Sequence, residues 1–161
     1  MKILATGGVG YIDINTCVEL LNQGHQVVII DNLINSKSIA LERLAEISNK
    51  KLIFDLSKNA DIVFFRCDIR DRSSLQKIFK TLKIDSVFHF AGLKSIKSSL
   101  KKPLDYYSNN VVGSIILFEE MAKANVKTII FSSSATVYGN PKTLPINENF
   151  PTGDINNPYG R

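Results

Sequence analysis

The stretch Lys2-Ile3-Leu4-Ala5-Thr6-Gly7-Gly8-Val9-Gly10-Tyr11-Ile12-Asp13 decides how the rest of the chain is read. An apolar run, a glycine turn and the start of an amphipathic helix follow one another with no linker. That is the order of strand, phosphate-binding turn and helix N-terminus. Gly7 permits the tight turn and Gly10 lets backbone approach a pyrophosphate, while exposed N–H groups and the positive end of the helix dipole hold the anion. The usual spacing puts a third glycine at position 13, where this chain has Asp13. Its carboxylate either turns outward, favouring the helix N-terminus by ~0.5 kcal/mol, or competes with the phosphates; the second is expected.

Outward from this stretch, strand-like and helix-like segments alternate, the pattern of a parallel sheet with helices on both faces. Ile14, Cys17, Val18 and Leu21 recur at i, i+3, i+4, i+7, a helix ended by Gly24. Residues 26–30 are a second buried strand ending at Asp31, roughly 20 residues past the glycines. A carboxylate there accepts from adenosine ribose hydroxyls and repels a 2′-phosphate, which favours NAD over NADP. Residues 37–48 read as a weaker helix, and 49–60 as a hairpin-like excursion or loop. Strands are expected at 61–66, 85–90 and 127–131, with a helix carrying Leu75, Ile78, Phe79 and Leu82 between the first two. A long helix over 104–124 places Val111, Ile115, Phe118 and Ala122 on one face. The expected fold is α/β: a Rossmann-type doubly wound parallel sheet, truncated after the fifth strand region, with residues 1–161 one dinucleotide-binding domain.

Bulk properties fit this. The 161 residues suit a single core, with 44% apolar and 22% charged residues. No apolar run approaches the ~20 residues that span a bilayer, and the N-terminus lacks signal-peptide organisation, so no membrane partner and a cytoplasmic location are expected. Cys17 and Cys67 make neither a disulfide framework nor a metal spacing and are expected as buried thiols. A net charge of +5 and a pI near 9.2 raise the question of nucleic acid. The one lysine cluster (Lys94, Lys97, Lys101, Lys102) lacks interleaved aromatics, however, and suits a solvated face or a phosphorylated ligand instead.

Gly7 to Ile12, Asp31, Asp68, Phe90 to Lys94 and Ser132 to Ser134 all fall at the carboxyl ends of expected strands, where open α/β sheets bind ligands. Several of these pieces lie in longer motifs: Thr6-Gly7-Gly8-x-Gly10-Tyr11-Ile12, Asp31-Asn32-Leu33 and His89-Phe90-Ala91-Gly92-Leu93-Lys94. Others are Lys102-Pro103-Leu104-x-Tyr106-Tyr107-x-Asn109-Asn110-Val111, Phe131-Ser132-Ser133-Ser134-Ala135-Thr136-Val137-Tyr138-Gly139 and Asn157-Pro158-Tyr159-Gly160. Together they resemble the UDP-glucose 4-epimerases, extended short-chain dehydrogenase/reductases of the NAD-dependent epimerase/dehydratase family. The resemblance covers nearly the whole chain and is interrupted chiefly around 49–62.

The resemblance implies an NAD-dependent isomerase of galactose metabolism that interconverts UDP-glucose and UDP-galactose through a 4-keto intermediate. It implies a UDP-hexose partner and allows a homodimer. Carried over by motif, Gly7, Gly10, Tyr11 and Ile12 form the pyrophosphate turn, and Asp31, Asn32, Leu33, Ile34, Asn35 and Ser36 surround the adenosine ribose. Asp68 and Ile69 lie beside the adenine, and Phe90, Ala91, Gly92, Leu93, Lys94 and Asn109 continue the cofactor wall. Ser134 would hydrogen-bond the reacting hydroxyl, and Tyr159 would be the catalytic base.

A phenol titrates near ~10 and needs a nearby cation to act as a base at neutral pH. The family supplies it as a lysine four residues after the tyrosine, on the same helical face. The chain stops at Arg161, two residues after Tyr159. The expectation is therefore an epimerase N-terminal portion without that lysine or a substrate domain, inactive by itself. The alternative is a remnant that at most binds NAD weakly. Asn157-Pro158 reads as an N-cap followed by proline at a first helical position.

Overall fold

The computed structural model describes residues 1–57 and 59–161. Its centre is the apolar run Val27 to Ile30, each residue at most 1% exposed, as a strand covered on both faces requires. This run lies in β2 (Gln26–Asp31), flanked by β1 (Lys2–Thr6) on one side and, on the other, by a strand at Ile62–Arg66. Numbered along the chain, the remaining strands are β3 (Leu52–Ile53), β4 (the Ile62–Arg66 strand), β5 (Ser86–His89) and β6 (Ile129–Phe131). All pairings are parallel, in the order β3-β4-β2-β1-β5-β6. Leaving aside the short β3, this is the doubly wound order, which reverses direction between β1 and β5.

Helices α1 (Tyr11–Asn22) and α2 (Ile39–Ser48) cover one face, packing Cys17, Leu21, Leu41 and Leu44 on Ala5, Val27 and Ile29. On the opposite face α3 (Arg72–Thr81) sets Leu75 and Ile78 against Leu4, Val28, Ile30 and Val87. It starts at Asp71, whose carboxylate accepts from the Ser74 N–H.

Two expectations are corrected. Of the hairpin-like excursion or loop expected at 49–60, the described residues form no hairpin: Leu52 and Ile53 form β3, which pairs parallel with Ile62 and Val63 of β4, and Phe54 stacks edge-on to Phe64 at 6.0 Å. Residue 58 of that stretch lies outside the described residues. The long helix is helical throughout but not uniform. A short helix α4 (Ile96–Lys101) precedes α5 (Pro103–Tyr106), a π-helical turn over Tyr107–Val112 and α6 (Gly113–Lys123). The expected apolar face is the exposed one: Val111, Ile115 and Phe118 are 45%, 49% and 44% exposed. The buried face instead carries Ser114, Leu117, Glu120 and Met121. Its polar members are matched: Ser114 pairs with His89, and Glu120 with Arg72 and Lys123. Apolar periodicity alone therefore chose the wrong side of this helix.

Candidate functional site

The carboxyl ends of β1, β2, β4 and β5 open into a cleft of about 410 Å³, within the ~300–1,000 Å³ usual for small-molecule sites. Its floor is the glycine turn. Gly7 has φ +69°, and a β-carbon there would lie 2.6 Å from the Ala91 Cα, so turn and strand end meet only because the side chain is missing. The Gly7 N–H donates to the Ile30 carbonyl (2.7 Å), tying the turn to β2. Gly10 sits at the N-cap of α1 with no side-chain cap, which leaves the first N–H groups of the helix for an anion. Tyr11 and Ile12 are exposed at this mouth.

Asp31 ends β2. Its Oδ2 accepts from the Val9 N–H (3.2 Å) and its Oδ1 from the Leu33 N–H (2.7 Å) and the Ser36 hydroxyl (3.0 Å), so one carboxylate joins the glycine turn to the loop after β2. Asp31, Asn32, Ile34, Asn35 and Ser36 line the cleft. Leu33 does not; it takes a positive φ of 61° and packs on the core beneath α1 and α2. Nor does Asp68 line it. Its carboxylate is held by Arg70 in a two-pronged pair (2.9 and 2.8 Å) and by the Asn32 amide (3.0 Å), and the Arg70 hydrogen bonds keep it well below the usual carboxylate range. Ile69 faces the cleft, as does Cys67, whose thiol burial pushes up to about 12 and leaves protonated.

Phe90, Ala91, Gly92, Leu93, Lys94 and Asn109 form the far wall. Two side chains from the helical run hold its backbone. The Asn110 amide accepts from the Leu93 N–H (2.8 Å) and donates to the Leu93 carbonyl (2.9 Å). The Tyr106 hydroxyl accepts from the Ser95 N–H (3.0 Å) and donates to the Ser95 carbonyl (2.7 Å). Asn109 and Asn110 both lie in the π-turn, a device that re-aims side chains at functional sites.

A second cavity of about 210 Å³ lies across this wall and shares Phe90, Ala91, Gly92 and Lys94 with the first. It brings Ser134 together with Tyr159. Ser134 caps a short 3₁₀ turn (Ala135–Tyr138), and its Oγ accepts from the Thr136 N–H (3.2 Å). Tyr159 lies edge-on to Tyr106, with ring centroids 6.3 Å apart. Asn157 Oδ1 accepts from the Gly160 N–H (2.8 Å), the capping bond expected of Asn157-Pro158. A β-carbon on Gly160 would meet Ile155 at 2.7 Å and the Thr136 carbonyl at 3.2 Å, so the tyrosine turn reaches the serine turn through a glycine.

The sequence does not point to Ile30 and Cys67 in the cleft lining, nor to the two clamps, Asn110 and Tyr106, whereas Asp13 lines the cleft as its place at the turn implies. A signal for Asn110 was its place beside Asn109 in the same motif. Asp13 is buried, not turned outward, and burial raises its carboxyl to about 6, with Lys94 holding it down and Asp31 adding to the rise. Among the described residues no group of three or more His, Cys, Asp or Glu is placed to hold a metal, and no helix is long and apolar enough to cross a membrane.

The chain is similar along its whole length to known proteins. The UDP-glucose 4-epimerase of Yersinia enterocolitica is 53% identical over 160 residues, covering 99% of this chain and 45% of that protein. That of Bacillus subtilis is 50% identical over 161 residues, covering all of this chain and 44% of its own length. The crystal structure of the Bifidobacterium longum UDP-glucose 4-epimerase, solved with NAD+ and UDP, superposes with a TM-score of 0.91 at 46% identity, over 99% of this chain and 45% of that one. The chain thus spans under half the length of the relatives it matches. A family model described as GDP-mannose 4,6 dehydratase matches residues 4–161. That match takes in almost every residue, and the chain therefore belongs to this family of extended short-chain dehydrogenase/reductases, with UDP-glucose 4-epimerases among its relatives.

Proposed function

We propose that residues 1–161 are the NAD-binding Rossmann domain of a UDP-glucose 4-epimerase, acting on UDP-hexoses. One observation carries the reading: two cavities share the wall Phe90 to Lys94, one beginning at an uncapped helix N-terminus behind a glycine turn and the other holding a serine and a tyrosine. The residues fit a dinucleotide. The turn and the α1 N-terminus take the pyrophosphate, and the carboxylate end of β2 takes the adenosine ribose. When bound, NAD supplies the hydride acceptor and donor for C4 of the hexose.

Within a whole enzyme, this chain's residues would take the following roles. Asp31 orients the ribose and disfavours a 2′-phosphate. Asn110 and Tyr106 fix the shared wall, which would hold a nicotinamide and a sugar in a set mutual orientation where the two cavities meet. Ser134 hydrogen-bonds the reacting hydroxyl, and the Tyr159 phenol oxygen takes and returns its proton. The exposed apolar residues Val111, Ile115 and Phe118 support a homodimer, and a cytoplasmic location belongs to the same reading.

Calorimetry with NAD, followed by a coupled assay of UDP-galactose to UDP-glucose conversion, tests it. The expected result for the isolated 161 residues is cofactor binding without measurable turnover. Absence of NAD binding at any pH contradicts the domain assignment, and turnover contradicts the inactivity of the isolated chain.

A further inference from the structure

Asp13 is the third residue of α1 and only 3% exposed, yet its Oδ1 has no hydrogen-bond partner, the one such buried side-chain atom among the described residues. Its Oδ2 lies against Gly10, where any β-carbon would collide with it. The carboxyl lines the larger cavity together with Gly7 and Gly10, in the first turn of α1 and so beside the helix N-terminus that would receive an anion. A buried carboxyl oxygen with no donor is costly, and an ionised one is costlier still next to phosphate.

We propose that Asp13 makes cofactor binding proton-linked: the dinucleotide's pyrophosphate enters with the Asp13 carboxyl protonated and donating to a phosphate oxygen, and is repelled by the ionised carboxylate. This rests on the NAD reading and adds a regulation to it. Each dinucleotide bound above the titration midpoint takes up one proton from solvent, which ends on Asp13.

The surrounding groups set where this happens. Lys94, from the segment after β5, lowers the carboxyl's pKa, Asp31 at the end of β2 raises it, and burial dominates, leaving it near 6. Cys17 on the same helix is pushed up to about 12 and Cys67 likewise, while His89 is lowered to about 4, so none of these changes charge near neutral pH. NAD affinity then falls roughly tenfold for each pH unit above about 6, because only the protonated fraction binds.

The test is calorimetric titration of NAD into the wild-type chain, Asp13→Asn and Asp13→Gly, from about pH 5.5 to about pH 8.5, in two buffers of different ionisation enthalpy. The expected result is a wild-type affinity that drops with rising pH, with close to one proton taken up, and two variants that bind tightly with no such slope. A pH-independent wild type beside an Asp13→Gly variant that binds NAD overturns the proton link and leaves the NAD reading standing. A slope that persists in Asp13→Asn also overturns it. Failure of all three chains to bind at any pH removes the NAD reading and the proton link with it.

Discussion

Thr6 Oγ1 and His89 Nδ1 lie 2.6 Å apart across the β1–β5 pair, where the strand order reverses. The bond belongs to a directed chain. Ser114 Oγ donates to the Asn110 carbonyl (2.5 Å), so it accepts from His89 Nε2–H (2.8 Å), which makes Nδ1 the acceptor of the Thr6 hydroxyl. The Ala91 N–H completes the chain on Thr6 Oγ1 (3.4 Å). A neutral imidazole thus links the glycine-turn strand to the helix that clamps the cleft wall. Replacing it with an apolar isostere takes one of two partners from each of two buried hydroxyls: His89→Leu should cost about 1–3 kcal/mol in urea unfolding, and a loss under about 0.5 kcal/mol would show that the chain contributes little.

The pH dependence of stability follows from two buried groups of opposite sign. Burial lowers His89 to about 4 from 6.5, so the unfolded chain binds more protons between these values and stability falls as pH drops through them, by up to about 3 kcal/mol. Burial raises Asp13 to about 6 from 3.8, so the folded chain binds more protons there and stability falls as pH rises through the same window. The two largely cancel in the wild type. Asp13→Asn should unmask the His89 slope between about pH 4 and 6.5 and add about 1–2 kcal/mol at neutral pH. A variant with the wild-type profile in urea midpoints across pH would contradict this.

The Asn110 clamp predicts a loss confined to binding. Asn110→Ala frees the Leu93 backbone while leaving the sheet intact, and NAD affinity should fall about 10- to 100-fold at a fixed pH. Asn110→Asp keeps the acceptor and loses the donor, and should fall between. Equal affinity in all three would mean that the wall needs no clamp.

Gly7 predicts a loss of both stability and binding. Gly7→Ala meets both a positive φ and the Ala91 backbone, so it should cost about 1–3 kcal/mol of stability and abolish NAD binding. Retained binding would show that the turn can shift to admit a β-carbon.

Much of this was legible in residue patterns because the relevant signals are local. The order apolar run, glycine turn, amphipathic helix specifies its own geometry, and Val27 to Ile30 can only be a strand covered on both sides. The carboxyl-end rule then gathers Gly10, Asp31, Phe90 and Lys94 around one cleft. What was not legible depends on contacts distant in sequence. Val111, Ile115 and Phe118 form a faultless apolar stripe, yet the helix turns Ser114 and Glu120 inward because His89 and Arg72 wait there. Asp68 stands at a strand end like Asp31, but Arg70, two residues on, takes its carboxylate away from the cleft. β3 has only two residues, too few for periodicity to show. Asn110 differs from Asn109 in what its amide reaches from the π-turn: Asn110 holds the Leu93 backbone, and Asn109 donates to the Asn110 amide oxygen.

The central claim, that the cleft behind Gly7 and Gly10 is a dinucleotide site, is tested most directly by a crystal structure of the chain grown with NAD at mildly acidic pH. The account predicts the pyrophosphate over the α1 N-terminus within hydrogen-bond reach of the Tyr11 and Ile12 N–H groups, the adenosine ribose on Asp31 and the nicotinamide at the wall shared with Ser134 and Tyr159. Density for NAD elsewhere, or an empty cleft at saturating NAD, would contradict it.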